Sequence, residues 1–151
     1  MKVVLASDHG GYELKEAIKK HLDEIGIEYI DCGTHSTDSV DYRDYAVEAC
    51  RKIQNGECQF GLLFCGTGAG MCLSANKMRG ILACNCSDTF TAKYTRLHNN
   101  SNVLCLGGRV VGPGLAIEMV DLFLSTEFEG GRHERRVNKI KRIEESQWRK
   151  E

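Results

Sequence analysis

Cys65 heads the run Cys65-Gly66-Thr67-Gly68-Ala69-Gly70, which follows the apolar stretch Gly61-Leu62-Leu63-Phe64. A strand, a glycine-rich loop and a helix in succession make an anion-binding arrangement. Glycines let the backbone come close to a ligand, and the first N–H groups of a helix have no partner of their own. Three familiar sites share this outline, and the spelling excludes each. A P-loop needs Lys-Ser/Thr after its last glycine, where Met71-Cys72 stands. A dinucleotide fingerprint needs Gly-x-Gly-x-x-Gly after the first strand, and here the third glycine comes one residue early on the third strand. A cysteine phosphatase loop needs a closing arginine, and position 71 is Met. What remains is a thiol at a ring of N–H donors. The positive end of a helix favours thiolate. A thiolate there is able to attack a substrate or to remove a proton. Proton removal beside a carbonyl gives an enediolate, whose oxyanion the loop N–H groups and Thr67 Oγ would hold. The plain alternative is a cysteine that ends a buried strand, against which the loop's glycines weigh, since each sacrifices backbone entropy.

Other residues carry chemistry more weakly. Asp8-His9-Gly10-Gly11 pairs an acid with an imidazole, suited to hydroxyl or phosphate recognition, although Asp8 would also serve as a helix N-cap. His98, in His98-Asn99-Asn100, is able to shuttle protons near neutral pH or to sit at a helix C-terminus. Arg132 and Arg136 share a helix face, and paired guanidinium groups suit a phosphate dianion; a solvated basic face is the bland reading. Arg109 follows Gly107-Gly108 in another loop. His21, His35 and His133 show no metal spacing among themselves.

Positioning these residues takes alternating strands and helices. Strands are expected at 2–6, 27–32, 59–65, 81–86 and 102–106. Helices are expected from about 12 to Gly26, at 41–55, 69–78 and 88–98, from Pro113 to Ser125, and from Arg132 to Lys150. This alternation predicts a three-layer α/β fold with a five-stranded parallel sheet of flavodoxin or Rossmann-like type. Right-handed crossovers would gather the loops at Asp8, Cys65 and Arg109 on one sheet edge. The last segment is highly charged, with a thin stripe of Val137, Ile140, Ile143 and Trp148, and is expected to lie on a partner subunit. One domain is expected over 1–151.

Composition sets the outer bounds. With 42% hydrophobic and 27% charged residues the chain reads as globular. A net charge of −1 gives no field to draw nucleic acid or a membrane, so neither is expected as a partner. Apolar runs are too short for a span or a signal peptide core, which predicts a cytoplasmic protein. Eight cysteines, most within apolar runs, then read as reduced thiols. Cys84 and Cys86 should share a strand face, but no second close pair completes a zinc set.

Taken together, Ser7-Asp8-His9-Gly10-Gly11, Asp31-Cys32-Gly33-Thr34, Cys65-Gly66-Thr67-Gly68-Ala69-Gly70, Ala75-Asn76-Lys77, Arg96-Leu97-His98-Asn99, Gly108-Arg109-Val110-Val111-Gly112 and the stretch from Glu129 to Val137 resemble the ribose-5-phosphate isomerase type B family. That family also contains galactose-6-phosphate isomerase subunits. The segments span nearly the whole chain in order. The resemblance implies a metal-free, cofactor-free aldose–ketose isomerase working through an enediolate. Cys65 would move the proton between C1 and C2. Gly66, Thr67, Gly68, Ala69 and Gly70 would hold the oxyanion, and His98 would open the furanose ring. Asp8, His9 and Asn99 would bind the sugar, and Arg132 and Arg136 its phosphate, with His9 and Arg109 assisting. It also implies a homodimer or dimer of dimers whose sites are shared between subunits, His98 coming from the partner.

The chain departs from the family pattern in three places. Arg43 stands where proline is common, Leu82 replaces a usual arginine, and Met71-Cys72 is less usual after the glycine loop; none removes a proposed catalytic group. The expected substrate pair is ribose 5-phosphate and ribulose 5-phosphate. A hexose 6-phosphate such as allose or galactose 6-phosphate is the near alternative. A non-catalytic phosphate-binding module and a thiol redox or metal protein are the more distant ones.

Overall fold

The computed structural model describes residues 1–147. Strands β1 (Lys2–Ser7), β2 (Glu28–Asp31), β3 (Phe60–Cys65), β4 (Ala83–Asn85) and β5 (Val103–Gly107) form one parallel sheet in the order β2-β1-β3-β5-β4. Relative to a flavodoxin winding, the last two strands have exchanged places. Helices α1 (Tyr12–Ile25), α4 (Thr89–Asn99) and α5 (Pro113–Ser125) bury Leu14, Ile18, Leu22, Ala92, Met119 and Phe123 on one face. Helices α2 (Tyr42–Gln54) and α3 (Ala69–Ala75) bury Ala46, Cys50, Met71 and Ala75 on the other. The three layers expected from the alternation are present.

Local chemistry sets the helix ends. Gly26, at φ 74°, takes the left-handed conformation that stops α1. Asp88 accepts the Thr91 N–H at 2.6 Å and caps α4 as expected. The third helix runs to Met78 in the sequence pattern but stops at Ala75 in the structure. Asn76 turns its amide outward to pair with Ala83, donating to its carbonyl at 2.9 Å and accepting its N–H at 2.8 Å. That pairing fastens edge strand β4 and ends the helix.

A buried charge cluster fastens α1 to β2. Lys15, fully buried, donates to Asp31 at 2.7 Å and to the Thr34 carbonyl at 2.6 Å, and Lys19 lies 2.8 Å from the other Asp31 oxygen. Burial pushes the Asp31 carboxyl up, but hydrogen bonds from Lys15, Lys19 and the Gly33 N–H outweigh it and hold it below the usual carboxylate range. Its stabilising effect is therefore complete above about pH 4, the ordinary carboxylate value, and fades as pH falls through the lower folded value. Asp31→Asn is expected to cost roughly 3 kcal/mol at neutral pH, because it strands the Lys15 ammonium. Urea unfolding should show that cost at about pH 7 and a smaller one at about pH 3; an equal cost at both would refute the assignment.

The final helix α6 (Arg132–Gln147) packs against α4 and buries only His133 and Val137. Near its other end Glu144 accepts the Gly80 N–H at 3.0 Å. Of the expected apolar stripe Val137 is covered within the chain, while Ile140 and Ile143 remain 47% and 63% exposed. Trp148 and the expected helix beyond 147 lie outside the described residues. Among the described residues no helix is long and apolar enough to cross a membrane.

Candidate active site

Alternation along β3 turns Leu62 and Phe64 toward α1, α4 and α5, and Leu63 and Cys65 toward α2 and α3. Cys65 ends the strand, 3% exposed. Its Sγ accepts the Gly68 N–H at 3.1 Å, so the chain curls around the sulfur before α3 begins. Thr67 stands exposed beside it, its Oγ1 accepting the Ala69 N–H at 3.2 Å.

Two more loops press against this one at the carboxyl edge of the sheet. The Asp8 N–H donates to Phe64 O at 3.1 Å, the Gly108 N–H to Cys65 O at 2.8 Å and the Arg109 N–H to Gly66 O at 3.0 Å. At Gly11 any side chain would overlap the Phe64 carbonyl, so this close approach requires glycine. The Arg109 guanidinium lies over Gly66: a carbon built there would stand 3.1 Å from Nη1. The structure thus gathers Asp8, His9, Cys65, Thr67 and Arg109 as the topology predicts.

Buried Asp8 accepts the Gly10 and Gly11 N–H groups at 2.9 and 3.1 Å. It builds the turn before α1, whose N-cap is Gly11. His9 Nδ1 accepts the Val40 N–H at 3.2 Å, which leaves the ring proton on Nε2. Beside it opens a cleft of about 490 Å³ lined by Asp8, His9, Asp41, Tyr42 and Arg43. Tyr42 closes over the far end of the glycine loop; a carbon built on Gly70 would stand 2.7 Å from its ring. Sequence reading missed Tyr42, because an aromatic at the start of an amphipathic helix looks like any partly packed residue. Arg43 reaches out of the cleft wall and pairs with Asp44 at 3.0 Å.

The other predicted residues lie elsewhere. Helices of a parallel sheet run back against the strands, so α4 ends beside the amino edge, where Asn102 donates to Leu82 O. His98 and Asn99 occupy that last turn. The Glu129 N–H donates to Leu97 O at 3.0 Å, which brings the start of α6, with Arg132 and Arg136, to the same edge. The six residues of β3, rising about 3.3 Å each, set the two edges roughly 15–20 Å apart. Within one chain His98 and the two arginines cannot meet Cys65.

His98 has neighbours that the sequence pattern did not single out. His133 stacks on its ring at 4.0 Å between centroids and 9° between planes. Glu129 reaches both imidazoles, 3.9 Å from His98 Nε2 and 3.8 Å from His133 Nε2. These three are the one group among the described residues whose ligand atoms crowd together, all within 4.8 Å. Cys84 in β4 and Cys86 just past its end turn to the same side of the sheet, with sulfurs 3.5 Å apart. The Cys86 thiol, bonded to the Cys84 sulfur, favours the thiolate of Cys84 over that of Cys86. All eight cysteines are free.

Comparison with known proteins agrees with this fold. The family model described as Ribose/Galactose Isomerase matches residues 3–140. Ribose-5-phosphate isomerase B of Escherichia coli is 45% identical over 144 residues, 95% of this chain and 97% of that protein. The structure of Clostridium thermocellum ribose-5-phosphate isomerase B superposes with a TM-score of 0.96 at 47% identity, covering 97% of this chain and 99% of that one. Ribose-5-phosphate isomerase B of Mycoplasma genitalium with bound ribulose-5-phosphate superposes with a TM-score of 0.91 at 42% identity, covering 95% and 96%.

Proposed function

The chain belongs to the ribose/galactose isomerase family, and on that footing we propose that it interconverts D-ribose 5-phosphate and D-ribulose 5-phosphate at a site shared by two copies of the chain. The observation that carries the reading is the division of groups between sheet edges. One edge holds a base and an oxyanion loop without a phosphate clamp; the other holds His98 and a pair of arginines without a base. Two copies placed edge to edge supply both halves, and the uncovered Ile140 and Ile143 suit such a contact.

In this reading His98 opens the furanose. Cys65 thiolate takes the proton from C2 of the open aldehyde, and the electron pair moves through C1–C2 onto O1. The resulting enediolate is held by N–H groups of Gly66, Thr67, Gly68, Ala69 and Gly70 and by the Thr67 hydroxyl. The O2 proton passes to O1, Cys65 returns the carbon proton to C1, and the ketone forms at C2. Asp8, His9 and Asn99 orient the sugar hydroxyls. Arg132 and Arg136 bind the phosphate dianion, with His9 and Arg109 assisting. No step draws on a metal or cofactor. A homodimer or dimer of dimers accompanies this reading, and eight free thiols suit a reducing, cytoplasmic setting.

The test compares kcat/KM on ribose 5-phosphate, allose 6-phosphate and galactose 6-phosphate in the presence of a chelator. Ribose 5-phosphate should lead by about tenfold or more, the scale a mismatched sugar length imposes on a shaped pocket. A hexose phosphate in the lead would move the substrate assignment, and absence of turnover on all three would leave only a binding module.

A further inference from the structure

The turn that leads into α6 aims two groups at His98. Gly130 and Gly131 take φ of 72° and 56°, a reversal that side-chain-bearing residues seldom make. Glu129 just before it and His133 just after it both end against the His98 imidazole. Tyr94 packs nearly perpendicular to the ring, at 4.9 Å and 79°, and stacks in turn on Phe90 at 4.1 Å. His98 is thus held in one plane by an aromatic ladder along α4 and by His133 beneath it.

This cluster is poorly formed for a metal ion. Imidazole lone pairs lie in the ring plane, and two planes only 9° apart and 4.0 Å separated send theirs side by side, without converging. The His133 ring is buried and its Nε2 has no hydrogen-bond partner. Burial, the facing His98, Arg132 and Arg136 all disfavour charge on it, against Glu129 alone. His133 therefore offers a flat neutral face, and Glu129 offers the negative charge.

We infer that Glu129 and His133 are positioning residues for ring opening by His98. The inference rests on the reading of His98 as the ring-opening group. In that step the imidazole takes the proton from the C1 hydroxyl; the C1–O4 bond breaks as C1=O forms; the imidazolium then gives the same proton to O4. Between the two transfers the ring carries a positive charge that Arg132 and Arg136 oppose. The Glu129 carboxylate, 3.9 Å from Nε2, offsets that opposition, and His133 fixes the plane in which both oxygens are reached.

The test is kcat/KM on ribose 5-phosphate together with the primary isotope effect of deuterium at C2. Glu129→Gln is expected to lower kcat/KM about tenfold, short of the roughly 10²–10⁴ carried by a group that transfers the proton itself. Its isotope effect should fall to unity, because ring opening would then be slower than C–H cleavage. His133→Ala should behave alike, and His133→Phe, which keeps a flat face, should recover most of the loss. A Glu129→Gln enzyme within twofold of the parent, or one slowed with its isotope effect undiminished, overturns the role of Glu129. Equal loss in His133→Phe and His133→Ala overturns the platform. His98→Ala separates the two levels. If its own isotope effect stays large, the ring-opening reading fails; if that effect collapses while Glu129→Gln keeps it, only the present inference fails.

Discussion

Cys65→Ala should lower kcat on ribose 5-phosphate by about 10³-fold or more with little change in KM, since a positioned proton-transfer group carries roughly 10²–10⁴. The sulfur is the one thiol at the glycine loop, 3% exposed and bonded to the Gly68 N–H. Removing it leaves the proposed oxyanion donors and phosphate-binding arginines in place, so on this reading binding persists while the carbon acid has no base. Cys65→Ser should be nearly as slow, because a hydroxyl is a far weaker acid than a thiol and supplies almost no anion at neutral pH. Alanine is small and the site lies at a strand end, so the variant should fold. Steady-state kinetics with a melting curve on the same sample decides the matter: a folded Cys65→Ala enzyme at full rate would remove Cys65 from the chemistry.

Mixing two inactive variants should restore activity. In a dimer of one Cys65→Ala chain and one His98→Ala chain, one site loses both groups and the other keeps both. Random reassortment makes half the dimers hybrid and half of each hybrid's sites intact, so co-refolding should recover about a quarter of the parent rate. Starting from preparations each expected about 10²-fold or more below the parent, this is a large rise. A mixture no faster than the mean of its components would mean that Cys65 and His98 do not work across a subunit boundary. The sheet topology makes that outcome hard to accommodate, because the two residues stand at opposite edges of β3.

The departures from the family pattern gain meaning from position. Arg43 lies in the wall of the cleft but is turned to Asp44, so its charge is partly answered before any substrate arrives. Leu82 sits just before β4, where its N–H is held by Asn102 Oδ1 at 2.9 Å, and lines a separate groove beside Ile140 and Ile143.

Much of the molecule was legible in one dimension. Periodicity of two and of 3.6 residues is a local property, so alternating strands and helices, the Gly26 stop and the Asp88 cap could be read directly. The loop around Cys65 was equally legible, because a thiol followed by glycines at a strand end has few structural uses. The end of α3 was not, since Asn76 leaves the helix for a partner seven residues away on β4. Tyr42, Glu129 and His133 were missed for the same reason: each gains its place from a contact that no spacing encodes.

The sequence by itself determined the fold class, the Cys65 loop and a set of residues that resembles a sugar-phosphate isomerase. Only the tertiary structure decided that those residues form two separate groups. Every strand in a parallel sheet points one way and every returning helix the other. A residue at a strand end and one at a helix end are therefore driven to opposite edges, whatever their chemistry. Cys65 falls on one edge and His98 on the other, with Glu129 and His133 gathered about it.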